Sequence, residues 1–194
     1  MVAYRKERIQ NAILFFTKEH HKKTKLYLSQ TALYKYLAFF EFRSLKVKGK
    51  MPLELTYKAM EHGPVPVEIY HNKNESEFSS LVLWEEVSFK NGATGFIIKP
   101  NGKFNGDYFS ANELKEMNAL IEMFAQSWVS ASVMSDASHQ AIKAWKKTYK
   151  ENPNGTIDPV DEFDRAFFNL PSDDLTAAEE RYLINRKMSE IITC

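Results

Sequence analysis

The chain of 194 residues has a single cysteine, Cys194, at its last position, which excludes an intrachain disulfide and leaves packing to hold any core. Long apolar runs are missing too, so nothing reaches the roughly twenty residues that cross a bilayer and no membrane association is expected. The seven glycines are scattered singly at turn positions, and none opens a Gly-Lys-Ser/Thr phosphate loop. No Gly-x-Ser-x-Gly elbow occurs. The five histidines (His20, His21, His62, His71 and His139) have no neighbours at metal-ligand spacing. The carboxylate pairs Glu85-Glu86, Asp173-Asp174 and Glu179-Glu180 are adjacent in sequence and so diverge on a strand or helix. Cys194 could act as a nucleophile only if the C-terminus were held in a cleft beside a base. The expectation is therefore no enzyme, no catalytic residue, no metal and no cofactor.

A hydrophobic fraction of 44% is that of a globular protein, and the length suits one domain over 1–194. The N-terminus lacks a signal peptide's apolar stretch and cleavage site, so the cytoplasm is the expected address. Net charge is only +1, but it is polarised. Residues 1–50 hold 12 Lys and Arg against 3 acids, and residues 151–194 hold 4 against 10. This polarity either steers an acidic partner or nucleic acid toward the N-terminal third or lets the acidic tail fold back across the basic helices, and the second reading is favoured.

Ile9, Ile13 and Phe16 predict a first helix from about Val2 to His20, ended by His20 and His21 acting as dipole-complementing caps. Thr24 to about Phe42 reads as a second helix, apolar on two sides through Leu26, Leu33, Leu37 and Phe40 and through Tyr27, Tyr34 and Ala38, hence the spine of the fold. The polar passage 72–80 reads as a surface loop or frayed helix end. Residues 81–89 and 94–99 read as two strands around a Lys90-Asn91-Gly92 turn. Ser110-Ala-Asn-Glu113 is a capping box that opens a further helix. Beyond the break at Asn152-Pro-Asn-Gly155, Asp161–Phe168 and Ser172–Ile192 read as helices. The order predicts an α+β fold, predominantly α-helical, with a small β-hairpin inserted between N- and C-terminal helices.

The most distinctive stretch is 52–70. Leu53, Thr56, Tyr57 and Met60 recur at helical spacing, Gly63 suits a left-handed helix end, and Pro64 forbids continuation. Pro66 then pre-sets a second helix carrying Val67 and Tyr70, giving helix, elbow, helix. Downstream, His139 and Trp145 are six residues apart, so on one helix they would lie on different faces. A structural reading has His139 bonding a carbonyl near 130–135 and Trp145 filling core volume.

Taken in order, Lys25-Leu-Tyr-Leu-Ser-Gln30, Gly63-Pro64-Val65 through Tyr70, the Ser110–Glu113 box, and the small residues leading to His139 and Trp145 resemble the Panacea domain, the SocA-like family of phage-associated and toxin–antitoxin proteins. The resemblance covers about 22–150, leaving the first helix (1–21) and the acidic 156–194 segment as extensions. Leu45-Lys-Val-Lys-Gly-Lys50 adds a basic run where the family has a plain turn. The resemblance implies an antitoxin that neutralises a cognate toxin by direct binding, with sequestration or delivery to a AAA+ protease as possible outcomes. Leu26, Tyr27, Gly63, Pro64, Val65, Tyr70, His139 and Trp145 are then the family signature and mainly structural. Lys22, Lys23 and Lys25, together with Lys73, Glu75 and Glu77, are the candidate partner-binding residues. The alternative is a phage-associated nucleic-acid-binding or regulatory protein, using Lys22, Lys23, Lys25, Lys35, Arg43, Lys46, Lys48 and Lys50 among tyrosines. The sequence pI near 7.8 makes nucleic acid the less favoured partner.

Overall fold

In a computed structural model, which describes residues 3–88, 92 and 94–192 without the side chains of 76, 77, 189 and 192, the fold is built around one helix. In chain order the elements are α1 (Arg5–Thr24), β1 (Leu28–Ser29), α2 (Gln30–Lys48), β2 (Tyr57–Met60), β3 (Gly63–Pro66), α3 (Val67–Asn72) and α4 (Ser76–Ser79). They continue with β4 (Val82–Ser88), β5 (Thr94–Pro100), α5 (Ala111–Phe124), α6 (Ala131–Ala141), α7 (Lys143–Glu151) and α8 (Ala177–Ile192). The protein is thus a compact, mostly helical α+β fold.

The spine is α2, as the two apolar stripes required, with buried residues around its whole circumference from Ala32 to Leu45. It packs against α1, α5, α6, α8, β1, β3 and β5. Its start differs from the sequence reading. Lys25, in a left-handed conformation, ends α1, and the chain passes through β1 before Ser29 caps α2 by accepting from the Ala32 amide. Aromatic stacking joins the layers: Phe16 lies on Tyr36 at 4.9 Å, and Phe39 on Phe124 at 4.8 Å.

The expected strand pair is present as β4 and β5, and β1 adds a third strand in the antiparallel order β1-β5-β4. Leu28 and Trp84 both pair with Ile98, and the Trp84 indole donates to the Phe78 carbonyl, which ties α4 to the sheet. Lys90 and Asn91 of the proposed turn lie outside the described residues. The capping box at Ser110 and Glu113 is complete in both directions.

The helix–elbow–helix reading of 52–70 is corrected at its first half. From Leu53 to Met60 burial alternates residue by residue, with Leu53, Leu55, Tyr57 and Ala59 inward. That period of two makes an antiparallel hairpin, β2 with β3, in which Tyr57 faces Pro66 and Met60 faces Gly63. The outer edge of β2 is covered as well. Ala59 donates to Gly155, Asn154 to Ala59 and Ile157 to Tyr57, so the Asn152–Gly155 break is a turn docked on a strand.

The acidic tail folds back onto α2. At Gly49, in a left-handed conformation (φ +67), an added Cβ would stand 2.0 Å from the Ala178 carbonyl oxygen, so α8 lies directly on the backbone there. The first predicted tail helix, Asp161–Phe168, is replaced by 3-10 turns at Pro159–Glu162 and Arg165–Asn169, whereas the second is present as α8, which starts at Ala177 after a 3-10 turn at Ser172–Asp174. Asp158 and Asp164 each accept from the amide two residues on, which starts a new turn rather than extending a helix.

Candidate interaction surface and the frame behind it

The hairpin tip is held from two sides. On one, Lys35 of α2 is fully buried and its Nζ donates to the Pro64 carbonyl at 3.0 Å. An added Cβ on Gly63 would stand 2.5 Å from Ser138 Oγ and 2.9 Å from Lys35 Nζ, side-chain ends that would have to shift, and the left-handed backbone there (φ +96) favours glycine in any case. Ser138 Oγ itself donates to the Ser135 carbonyl at 2.7 Å. Burial lowers the Lys35 pKa to about 7. Counting Lys35 among an exposed basic stripe is therefore corrected. The signal in the sequence was its position between Tyr34 and Tyr36 on a helix apolar all round.

On the other side are His139 and Trp145, which do not point apart. The helix breaks at Ile142 because the Glu162 carboxylate accepts from the Lys143 and Ala144 amides and caps a new helix, α7. His139 of α6 and Trp145 of α7 then stack at 4.0 Å and 5°. The Trp145 indole donates to the Met60 carbonyl at 3.1 Å, and Tyr149 stacks on its far face at 5.0 Å. His139 bonds the Glu61 backbone rather than a carbonyl near 130–135, and burial followed by nearby Lys35 lowers its pKa. Trp145 is buried in the core as expected.

A second buried ionisable side chain latches the hairpin's entry. Glu41 is inaccessible to solvent, and its Oε1 accepts from the Leu55 amide at 3.1 Å. Burial raises its pKa to about 8 against the opposing pull of backbone hydrogen bonds. The sequence reading missed Glu41, although it too interrupts an otherwise apolar helix.

Of the other signature residues, Val65 is buried and Tyr70 is exposed on α3. Leu26 and Tyr27 do not belong to the frame. They are 63% and 42% exposed, with Tyr27 stacked on His21 at 4.4 Å, because the segment carrying them precedes α2 instead of forming its first turn. His20 is likewise no helix cap. It is buried within α1, its Nδ1 within 3.1 Å of the Tyr36 hydroxyl, and burial lowers its pKa to about 4.

The proposed contact residues occupy two separate places. Lys22 pairs with Glu19, Lys23 with Glu122, and Lys25 donates to the Lys22 carbonyl at the end of α1. Lys73 and the exposed Glu75 lie between α3 and α4, with Lys73 4.5 Å from the centre of the Phe96 ring. The Glu77 side chain lies outside the described residues, as does Cys194. Much of the N-terminal charge is answered within the chain. Arg5 pairs with Glu68, Arg43 with Glu116, and Arg8 with Glu113 at 2.6 Å while also donating to the Pro52 and Tyr108 carbonyls. Among the described residues no cluster of three or more His, Cys, Asp or Glu could hold a metal ion, and no helix is long and apolar enough to cross a membrane.

Lys35, Glu41 and Glu162 thus bond backbone groups of the chain's own frame, while the charged segments around Lys22–Lys25 and Lys73–Glu75 lie on its outside. Residues 33–146 match the antitoxin SocA-like, Panacea domain family, and the chain belongs to that family. The match takes in Gly63, Pro64, Val65, Tyr70, His139 and Trp145 and begins after Leu26 and Tyr27. No curated protein and no solved structure matches the chain.

Proposed function

We propose that this protein is an antitoxin that neutralises a cognate toxin by direct binding in the cytoplasm, with the whole chain acting as one unit. The match of residues 33–146 to the SocA-like antitoxin family carries the reading. Physical features agree with it. The polar latches Lys35, Glu41 and Glu162 are spent on backbone groups of the chain itself, which suits a scaffold. Inhibition by contact asks only for an interface, typically about 1,600 Å² in total. Nucleic acid is the weaker candidate partner, because Arg5, Arg8 and Lys23 are engaged by carboxylates of the same chain and Lys35 is buried.

The test is co-expression of this chain with each adjacent open reading frame while growth is measured. Arrest by one neighbour, relieved by this chain, supports the reading. If no neighbour arrests growth, or arrest persists while this chain is soluble and abundant, the antitoxin reading fails.

A further inference from the structure

Phe39, Phe42, Leu120 and Ile142 floor a groove of about 500 Å³ between α2, α5 and the α6–α7 junction. Its apolar lips project into solvent: Val47 in the last turn of α2 is 72% exposed and Met123 in the last turn of α5 is 52% exposed. Three cations, Arg43, Lys46 and Lys143, also line it. The acid on its wall, Glu162, is buried and its two carboxylate oxygens already accept from the α7 amides, so the groove presents positive charge outward. An exposed apolar patch beside a concave apolar floor marks a contact site, and the charges around it select the sign of the partner.

We propose that this groove receives an acidic amphipathic segment of the cognate toxin, with apolar side chains on the floor and carboxylates toward Arg43, Lys46 and Lys143. The proposal rests on the antitoxin reading and gives it a surface different from the end of α1 and the α3–α4 link. A small acid would fill the floor and leave both lips exposed, whereas a chain segment crossing from α2 to α5 covers Val47 and Met123 together. Among the described residues, the ion pair Arg43 makes is a surface one with Glu116 at 3.5 Å, an interaction weak enough for an incoming carboxylate to replace.

The probe is the product of the adjacent reading frame that this chain neutralises, purified and titrated against wild type and three variants by calorimetry. Arg43→Glu/Lys46→Glu and Val47→Asp/Met123→Asp are each expected to weaken binding at least tenfold and to lose growth rescue. Lys103→Glu, exposed on the turn ahead of α5 and away from the groove, is expected to bind as wild type. All these side chains are at least partly exposed, so thermal unfolding should be unchanged; if a variant unfolds early, Val47→Ser/Met123→Ser replaces it. Groove variants that fold normally and bind with wild-type affinity overturn the proposal while leaving the antitoxin reading intact. Saturation of the groove by oleate without competition against the toxin overturns it as well. If no adjacent product is toxic, the antitoxin reading fails and this proposal fails with it.

Discussion

Lys35 Nζ reaches the Pro64 carbonyl at 3.0 Å from a position without solvent access, so a lysine in the spine helix holds the tip of a hairpin nearly thirty residues away. Its burial sets a pH dependence. The folded pKa is about 7 against an ordinary 10.5, so between those values the unfolded chain binds the extra proton. Lys35 therefore costs stability fully below about pH 7, and that cost fades as pH rises toward 10.5. Lys35→Met should remove this rise. Urea unfolding at pH 6, 8 and 10 checks it, and an unchanged slope in the variant would refute the assignment.

Glu41 acts with the opposite sign. Its folded pKa of about 8 exceeds the ordinary 4.5, so in that interval the folded chain keeps a proton that the unfolded chain releases. Its contribution is greatest below pH 4.5 and is lost as pH climbs to about 8. Glu41→Gln keeps an acceptor for the Leu55 amide and should flatten the fall; Glu41→Ala leaves that buried amide unpaired at a cost of roughly 1–3 kcal/mol. His20, with a pKa near 4, adds a rise between about pH 4 and 6.5, and Lys35 opposes the fall above 7. The clean comparison is therefore Glu41→Gln against its parent in a Lys35→Met background from pH 6.5 to 8.

How much of this was legible in the sequence follows from the range of the interactions. The capping box at Ser110, the spine helix and the β4–β5 pair depend on neighbours within a few residues, and all three were readable. The 53–60 segment carried both signals, since Leu53, Leu55, Tyr57 and Ala59 alternate while Leu53, Tyr57 and Met60 fit a helix. Tertiary pairing with 154–157 decided for the strand. The meeting of His139 with Trp145 was not readable. It depends on a helix break at Ile142 imposed by Glu162, and nothing local to 139–145 announces it. Lys35 and Glu41 were readable as ionisable residues on an apolar helix, but their acceptor, Pro64 of β3, and donor, Leu55 just before β2, belong to a hairpin whose docking only the fold provides.

Gly49 fixes how the acidic tail docks. A methyl group there would meet the Ala178 carbonyl oxygen at 2.0 Å and the Tyr182 nitrogen at 2.8 Å, both backbone atoms that cannot swing aside. The left-handed backbone adds about 1–2 kcal/mol for a residue with a Cβ. Gly49→Ala should thus loosen α8 before the core. Limited trypsin digestion should then cut at Arg181, Arg186 or Lys187 while residues 5–150 stay intact, and equal resistance of variant and wild type would count against this docking.

Trp145 separates residues that shape the frame from residues that touch a partner. Its indole N–H satisfies the Met60 carbonyl, and its ring lies between His139 and Tyr149. Trp145→Phe keeps most of the stacking and loses the hydrogen bond, which should cost about 1 kcal/mol. Trp145→Ala also empties the space between two rings, a loss of about 3–5 kcal/mol. Because the indole is turned into the core, both variants should lose toxin neutralisation only as they lose folded protein. Rescue plotted against the midpoint of thermal unfolding should then fall on one curve for these variants and Lys35→Met. The groove variants Arg43→Glu/Lys46→Glu should drop off that curve, with unfolding unchanged and rescue lost. A Trp145→Phe protein that melts like wild type yet fails to rescue would instead make the indole a contact residue.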